Sequence, residues 1–145
     1  MSKIFKRIAA MSAAVMMMAS ISSMGVSAVD GYSFYSSPYT LYDTISSGKV
    51  TSYGKVTKTT SGSSYKVTSY ASTGINKSTG GANVSTSICF KKSNSDSNIY
   101  SVGNGSGGKT GANTSKTYTV DKKLYKYVHN SHVGFNQNVR KIETY

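Results

Sequence analysis

Alternation of residue types constrains the fold of this chain more than any other feature. Even positions from Val84 to Phe90 carry Val, Thr, Ile and Phe, while the odd positions between them carry Ser or Cys. Leu124–His129 alternates in the same way. Helical spacing of apolar residues is hard to find, whereas Thr, Val, Tyr and Ile suit a half-buried pleated surface. The pattern predicts an all-β fold, a small antiparallel β-sandwich or barrel-like domain.

One short sequence occurs twice. Lys49–Tyr53 and Lys66–Tyr70 both read KVTSY, and Lys55–Thr57 is a partial third copy. The stretch Thr60–Ser63 lies between them and has the composition of a turn. We therefore predict an antiparallel hairpin with similar arms. Two copies are too few for a solenoid, which needs about three repeats, so the repeat is interpreted as strand chemistry and not as a functional unit.

Two glycine-rich stretches, Ser72–Ala82 and Gly103–Ser115, are predicted to be loops. Within the second, Gly103–Thr110 satisfies the phosphate-binding pattern G-x-x-x-x-G-K-[ST]. That chemistry needs a helix after the loop, because the N-terminal amides of the helix hold the phosphates. Since Gly111–Ser115 is a poor helix start, we interpret the match as chance within a mobile loop.

The first 28 residues have the organisation of a secretory signal peptide. Lys3, Lys6 and Arg7 precede an uncharged stretch, Ile8–Met24, and Val26–Ala28 supplies the small residues of a cleavage site. The uninterrupted apolar part is shorter than the roughly 20 residues that span a bilayer. We expect cleavage after residue 28, which leaves residues 29–145 as a single secreted β-rich domain, released or held non-covalently at the cell surface.

The predicted mature chain is basic and poor in aliphatic residues. It keeps 14 basic residues against five acids, a formal charge of +9. Leu, Ile, Val and Phe make up 20 of its 117 residues, a share typical of disordered chains. The 12 tyrosines argue against disorder, because disordered chains are poor in aromatic residues. We therefore expect tyrosine rings to line a small core.

Residues suited to catalysis or metal binding are few. Cys89 is the single cysteine, so a disulfide through it would be intermolecular and would form a homodimer; it is expected on the polar face of its strand. Cys89 with His129 as nucleophile and base lacks any local signature of cysteine proteases. His129 and His132 need further ligands to hold a metal and are expected in a polar turn. We predict a protein that is not an enzyme and has no cofactor or metal.

Lysines and tyrosines are concentrated in one segment. The residues of this predicted cluster are Lys116, Tyr118, Lys122, Lys123, Tyr125, Lys126 and Tyr127. Such a surface attracts polyanions, and its rings can stack on sugars or bases. Outside a cell the candidate partners are anionic envelope polymers, such as teichoic acids, and lipid surfaces, and not intracellular nucleic acid. The alternative for the same residues is a solvated lysine surface over a tyrosine core.

Three functions are compatible with these features. The first is a non-enzymatic protein that binds an anionic cell-envelope surface or polymer. The second is a bacteriocin-like toxic protein that acts on competing cells, and the third is an extracellular structural or self-associating protein linked through Cys89. The composition resembles that of short exported β proteins of Gram-positive bacteria, and the charge of +9 with the predicted cluster makes envelope binding the leading hypothesis.

Overall fold

The computed structural model describes residues 31–144, which form strands, turns and bends without any helix. The all-β prediction is confirmed, whereas the predicted signal peptide, residues 1–28, lies outside the described residues. The strands are β1 (Ser33–Phe34), β2 (Tyr39–Ile45), β3 (Gly48–Ser61), β4 (Ser64–Ile75), β5 (Ala82–Lys91), β6 (Tyr100–Gly108), β7 (Gly111–Asp121), β8 (Tyr125–Gly134) and β9 (Gln137–Thr144).

Two sheets pack face to face as a β-sandwich. The five-stranded sheet has the order β1-β9-β8-β5-β6, and the four-stranded sheet has the order β2-β3-β4-β7. Neighbouring strands are antiparallel, except that β1 runs parallel to β9. Because each strand alternates between a buried and a solvent-facing side, each sheet has an inner face toward the other sheet and an outer face.

The repeated KVTSY segments form the predicted hairpin. They lie in β3 and β4, which pair along their length and are joined by a two-residue turn at Gly62 and Ser63. Gly62 has a φ of 55°, a conformation that favours glycine. The second and fourth residues of each copy point inward and the other three outward, which the burial of Val50 and Val67 confirms.

The prediction of a second loop at Gly103–Ser115 is wrong. Its glycines belong to β6 and to the start of β7, and the chain turns only at residues 109–110. Side chains of the paired strand explain the glycines, because Ser87 and Asn83 of β5 lie where side chains at Gly103 and Gly107 would stand. The first predicted loop is shortened to residues 76–81, between β4 and β5.

The predicted tyrosine-lined core is largely wrong. Among the described residues, Tyr39 is buried at 6% exposure, and Tyr35 and Tyr65 pack partly against core clusters. Six other rings are at least 36% exposed: Tyr32, Tyr42, Tyr70, Tyr100, Tyr118 and Tyr125. Small aliphatic residues fill the core instead, and one cluster contains Val67, Ile88, Val120 and Val128.

A hydrogen-bonded polar network completes the interior. The Tyr39 hydroxyl lies 2.8 Å from His132 Nε2 and accepts a 2.8 Å hydrogen bond from Asn130 Nδ2. His132 Nδ1 lies 2.9 Å from the Thr73 hydroxyl, and Thr86 donates to Asn130 Oδ1 at 2.6 Å. Tyr39 and Thr73 belong to the four-stranded sheet and the others to the five-stranded sheet, so these bonds join the two sheets.

A buried ion pair also joins the sheets. Arg140 of β9 donates from Nε and Nη2 to the two carboxylate oxygens of Asp43 in β2, at 2.9 and 2.6 Å. The Asp43 side chain is fully buried and the Arg140 side chain is 6% exposed. A two-pronged contact of this kind fixes the relative position of the strands, because guanidinium and carboxylate match in geometry.

Candidate functional site

The seven residues of the predicted cluster do not form one surface. Tyr125 and Tyr127 lie on the outer face of the five-stranded sheet, with Tyr127 against His129 at a ring separation of 4.8 Å. Lys126, between them, points to the opposite side of β8, the side of buried Val128. Strand alternation therefore divides this part of the cluster between two faces.

The remaining members also diverge. Tyr118 of β7 stacks on Phe90 of the facing sheet, with ring centroids 5.8 Å apart and an interplanar angle of 13°. Lys116 is half-buried two positions earlier on the same strand. Lys123 is exposed in the β7–β8 turn, where its backbone N–H donates to Asp121. The lysines that meet in space are Lys122 and Lys126, and they meet around a tyrosine outside the predicted cluster.

That tyrosine is Tyr65, at one end of the sandwich. The ammonium groups of Lys58 and Lys126 each lie 4.8 Å from the centre of its ring, and that of Lys122 lies at 5.4 Å. Cations within about 6 Å of an aromatic ring are attracted to its electron-rich face. We call the group of Lys58, Tyr65, Lys122 and Lys126 the basic end.

Lys58, Tyr65 and Lys126 occupy inward-facing positions of their strands, just beyond the last apolar residue of the core. Lys58 follows Val56 on the inner side of β3, Tyr65 precedes Val67 on β4, and Lys126 precedes Val128 on β8. The apolar core ends at these positions, so the next inward residue on each strand is a lysine or a tyrosine. The basic end is therefore the rim where the two sheets stop covering one another.

Backbone carbonyls hold two of the three ammonium groups. Lys122 Nζ donates to the carbonyl of Gly62 at 2.7 Å, and Lys126 Nζ donates to the carbonyl of Leu124 at 3.2 Å. Both carbonyls belong to the turns at this end of the sandwich, which are themselves joined by a hydrogen bond from Lys122 N to Ser63 O. The turns thus orient the positive charges.

Crowding of like charge perturbs the site. Burial and the neighbouring charge of Lys58 lower the pKa of Lys126, against an opposing contribution from Asp121. A positive charge disfavours a second one nearby, whereas an anion favours both. The basic end can therefore hold an anionic group whose charge offsets the mutual repulsion of its lysines.

Sequence reasoning missed Lys58 and Tyr65, although a signal for them was present. The two-residue turn fixes the register of the hairpin, so Lys58 pairs with Val67 and Thr60 pairs with Tyr65. Lys58 and Tyr65 are then diagonal neighbours on one face, within reach of a long side chain. Counting back from the predicted turn would have placed them together.

Cys89 and His129 do share the outer face of the five-stranded sheet. His129 Nε2 lies 2.9 Å from Glu143 Oε1, an ion-pair distance. Burial lowers the pKa of His129 despite that carboxylate. Cys89 is 3% exposed, and burial raises the pKa of its thiol to about 11. Cys89 is thus buried although it lies on the polar face of its strand, and a protonated thiol is a weak nucleophile.

The two histidines are not in a turn, contrary to prediction. Both lie in β8, where their spacing of three puts His129 outside the sandwich and His132 inside. They cannot reach one metal from opposite sides of a sheet. Across residues 31–144 no three His, Cys, Asp or Glu side chains are grouped so that they could hold a metal ion.

The phosphate-loop pattern Gly103–Thr110 falls on strand β6 and the turn after it. The chain continues directly into strand β7, so the pattern is not followed by a helix whose amides could hold phosphates. The match therefore carries no nucleotide site.

Comparison with known proteins identifies no family for this chain. No protein-family model, curated protein or solved structure matches this chain. The part of the chain described by the structure contains no helix of the length and apolar character needed to cross a membrane.

Proposed function

We propose that this is a secreted, non-enzymatic protein that binds an anionic polymer of the cell envelope through its basic end. The observation that carries the proposal is the convergence of three lysine ammonium groups, from Lys58, Lys122 and Lys126, on the ring of Tyr65. The formal charge of +9 for residues 29–145 would bring such a polymer to the protein from a distance.

Convergence distinguishes the basic end from lysines that serve solubility. A lysine that only improves solubility extends into water, away from other cations. Lys126 is instead partly buried at the end of the core, where desolvation lowers its pKa, and the exposed Lys58 lies beside it over the same ring. A phosphate or carboxylate group would accept hydrogen bonds from the ammonium groups, and Tyr65 would contact the adjoining part of the polymer.

The test is co-sedimentation of the secreted protein with intact Gram-positive cells that carry or lack wall teichoic acid. The variant has Lys58, Lys122 and Lys126 replaced by Gln. The control, with Lys77, Lys109 and Lys141 replaced by Gln, loses the same charge from positions outside the basic end. Three ionic contacts worth roughly 0.5–1 kcal/mol each predict about a tenfold to hundredfold loss of affinity for the first variant.

The expected pattern has three parts. Pelleting requires the anionic polymer, and the control binds nearly as well as the wild type. Pelleting also falls between 0.05 and 0.5 M salt, because salt screens exposed charges and the screening length is already only about 10 Å at roughly 0.1 M. Equal losses in both variants would show that net charge alone acts, and pelleting that ignores the polymer would exclude the proposed ligand.

A further inference from the structure

The outer face of the four-stranded sheet is an uncovered polar surface. Outward positions of β3 and β4 carry mainly Thr, Tyr, Lys and Ser. Among them, Thr68 pairs with Thr117 of β7 through a 2.9 Å contact between hydroxyls. Lys49, Lys66 and Tyr70 are exposed on this face, and Thr51, Tyr53 and Thr68 are partly exposed.

The repeated sequence gives this face an approximate two-fold symmetry. In the β3–β4 register, Tyr53 pairs with Ser72 and Tyr70 with Lys55, on either side of the pair Gly54–Ala71. The two copies therefore run outward in opposite directions from that pair. Tyr53 and Tyr70 meet at the centre, with ring centroids 5.8 Å apart and an interplanar angle of 62°.

Each arm of this surface ends in a lysine. From the centre outward the order is Tyr, Thr, Lys on both strands, ending at Lys49 and Lys66. Lys66 pairs with Thr59, ten positions along β3 from Lys49, so the surface is about 33 Å long at roughly 3.3 Å per residue. We call the outward residues of the two copies the repeat stripe: Lys49, Thr51, Tyr53, Lys66, Thr68 and Tyr70.

An open groove of about 570 Å³ adjoins the Lys49 end of the stripe. Tyr42, Lys49, Thr51 and Asn76 contribute to its lining, and its floor includes Gly74. A side chain at Gly74 would meet no atom within 4 Å, so the glycine leaves the space above the sheet open. Tyr42, at the side of the groove, is 73% exposed.

The positive charge of the stripe favours an anionic ligand. The stripe and its neighbour Lys55 carry positive charge, and Asp43 of β2 points inward to Arg140. Asp121 of β7 is exposed on this face, diagonally across from Lys66, so the positive charge is strongest from Lys49 to Lys55. Tyrosine offers an apolar ring with a polar tip, and hydroxyls of Thr both donate and accept hydrogen bonds. A sugar ring has the matching character: apolar C–H faces and a rim of hydroxyls.

We infer that the repeat stripe binds a linear acidic polysaccharide, laid along the strands with its sugar rings on Tyr53 and Tyr70 and its carboxylates near Lys49 and Lys66. The inference rests on the proposed function and extends it, because it assigns the glycan part of the ligand to a second surface. The two-fold arrangement places one lysine at each end of the polysaccharide, with the groove beside Lys49 and Asp121 beside Lys66.

The experiment uses fluorescence anisotropy with the secreted protein and two labelled probes, an oligogalacturonate of about ten residues and an inorganic polyphosphate. One variant replaces Tyr53 and Tyr70 by Ala, and two others are Lys49→Gln and Lys66→Gln. The control variant, Tyr125→Ala with Lys141→Gln, removes an exposed ring and a charge from the outer face of the other sheet. Circular dichroism and melting temperature verify the fold of each protein.

We expect the tyrosine variant to bind oligogalacturonate about tenfold more weakly, a loss of about 1.4 kcal/mol, and polyphosphate unchanged. Both lysine variants lose oligogalacturonate affinity, Lys49→Gln more than Lys66→Gln because Asp121 lies beside Lys66, and the control loses none. If the tyrosine variant binds oligogalacturonate normally while substitution of the basic end abolishes binding of both probes, the stripe is refuted and the proposed function stands. If neither surface matters for either probe, both proposals fail.

Discussion

Protonation of His132 is expected to destabilise the fold in mildly acidic solution. This ring is fully buried between Tyr39 and Thr73, and burial lowers its pKa from 6.5 to about 4. The neighbouring charge of Arg140 acts in the same direction. In the unfolded chain His132 has its ordinary pKa, so it binds a proton in mildly acidic solution that it does not bind in the folded protein.

The sign and size follow from that difference. Above about pH 6.5 the ring is neutral in both states and stability does not depend on it. Between about pH 6.5 and pH 4 the free energy of unfolding falls by about 1.4 kcal/mol per pH unit, since only the unfolded state binds the proton. The total loss is about 3 kcal/mol, a large part of the 5–15 kcal/mol typical of small domains.

Urea unfolding at pH 7, 6, 5 and 4.5, followed by circular dichroism, measures this dependence. His132→Gln removes this proton site, so its stability is lower at pH 7 and falls less steeply toward pH 5 than that of the wild type. His129→Gln is measured beside it, because burial also lowers the pKa of the partly exposed His129 and its protonation adds a smaller part of the acid loss. A wild-type stability that stays level from pH 7 to pH 4.5, or a His132 that titrates near pH 6.5 by NMR, would refute the reasoning.

Two further predictions concern buried groups. Arg140→Met leaves the Asp43 carboxylate buried without its partner and is expected to lower the free energy of unfolding in urea by about 3–5 kcal/mol. Arg140→Met combined with Asp43→Leu is expected to recover most of that loss. A loss below about 1 kcal/mol for the single variant would contradict the role of the ion pair. A rise in the pKa of Cys89 from 9.0 to about 11 lowers its thiolate fraction about hundredfold. Labelling by a disulfide reagent at pH 8 is therefore expected to be at least that much slower in the folded protein than in urea, and equally fast labelling would restore the case for an exposed thiol and a disulfide-linked dimer.

The strands were predictable because their signals are local. Alternation from Val84 to Phe90 and turn composition at Gly62 are contained in a few neighbouring residues. The glycines of β6 misled the prediction, since glycine reads as a flexible loop. In the folded protein Gly103 is a strand position whose missing side chain leaves room for Ser87 on the next strand. That requirement comes from a paired strand and is invisible in the local sequence.

The polar interior could not be predicted for a related reason. Asn130 and His132 look like turn residues, and their burial depends on partners far along the chain. Tyr39 is 91 residues from Asn130, and Thr73 is 59 residues from His132. An unpartnered buried amide or imidazole is costly, whereas a partnered one is not. The sequence alone therefore predicted a polar turn at these residues, because it does not show the distant partners that make their burial possible.

Charge density along the chain was the weaker guide to the site, and strand register is the stronger one. Lys126 and Tyr125 are adjacent in sequence, yet alternation sends them to opposite sides of β8. Lys58 is 68 residues from Lys126, yet both reach the ring of Tyr65. The β3–β4 turn sets the register that brings Lys58 beside Tyr65, and it also sets the two-fold arrangement of the repeat stripe. Lys126 joins them only through the packing of the two sheets, so the short repeat locates the stripe and not the whole of the basic end.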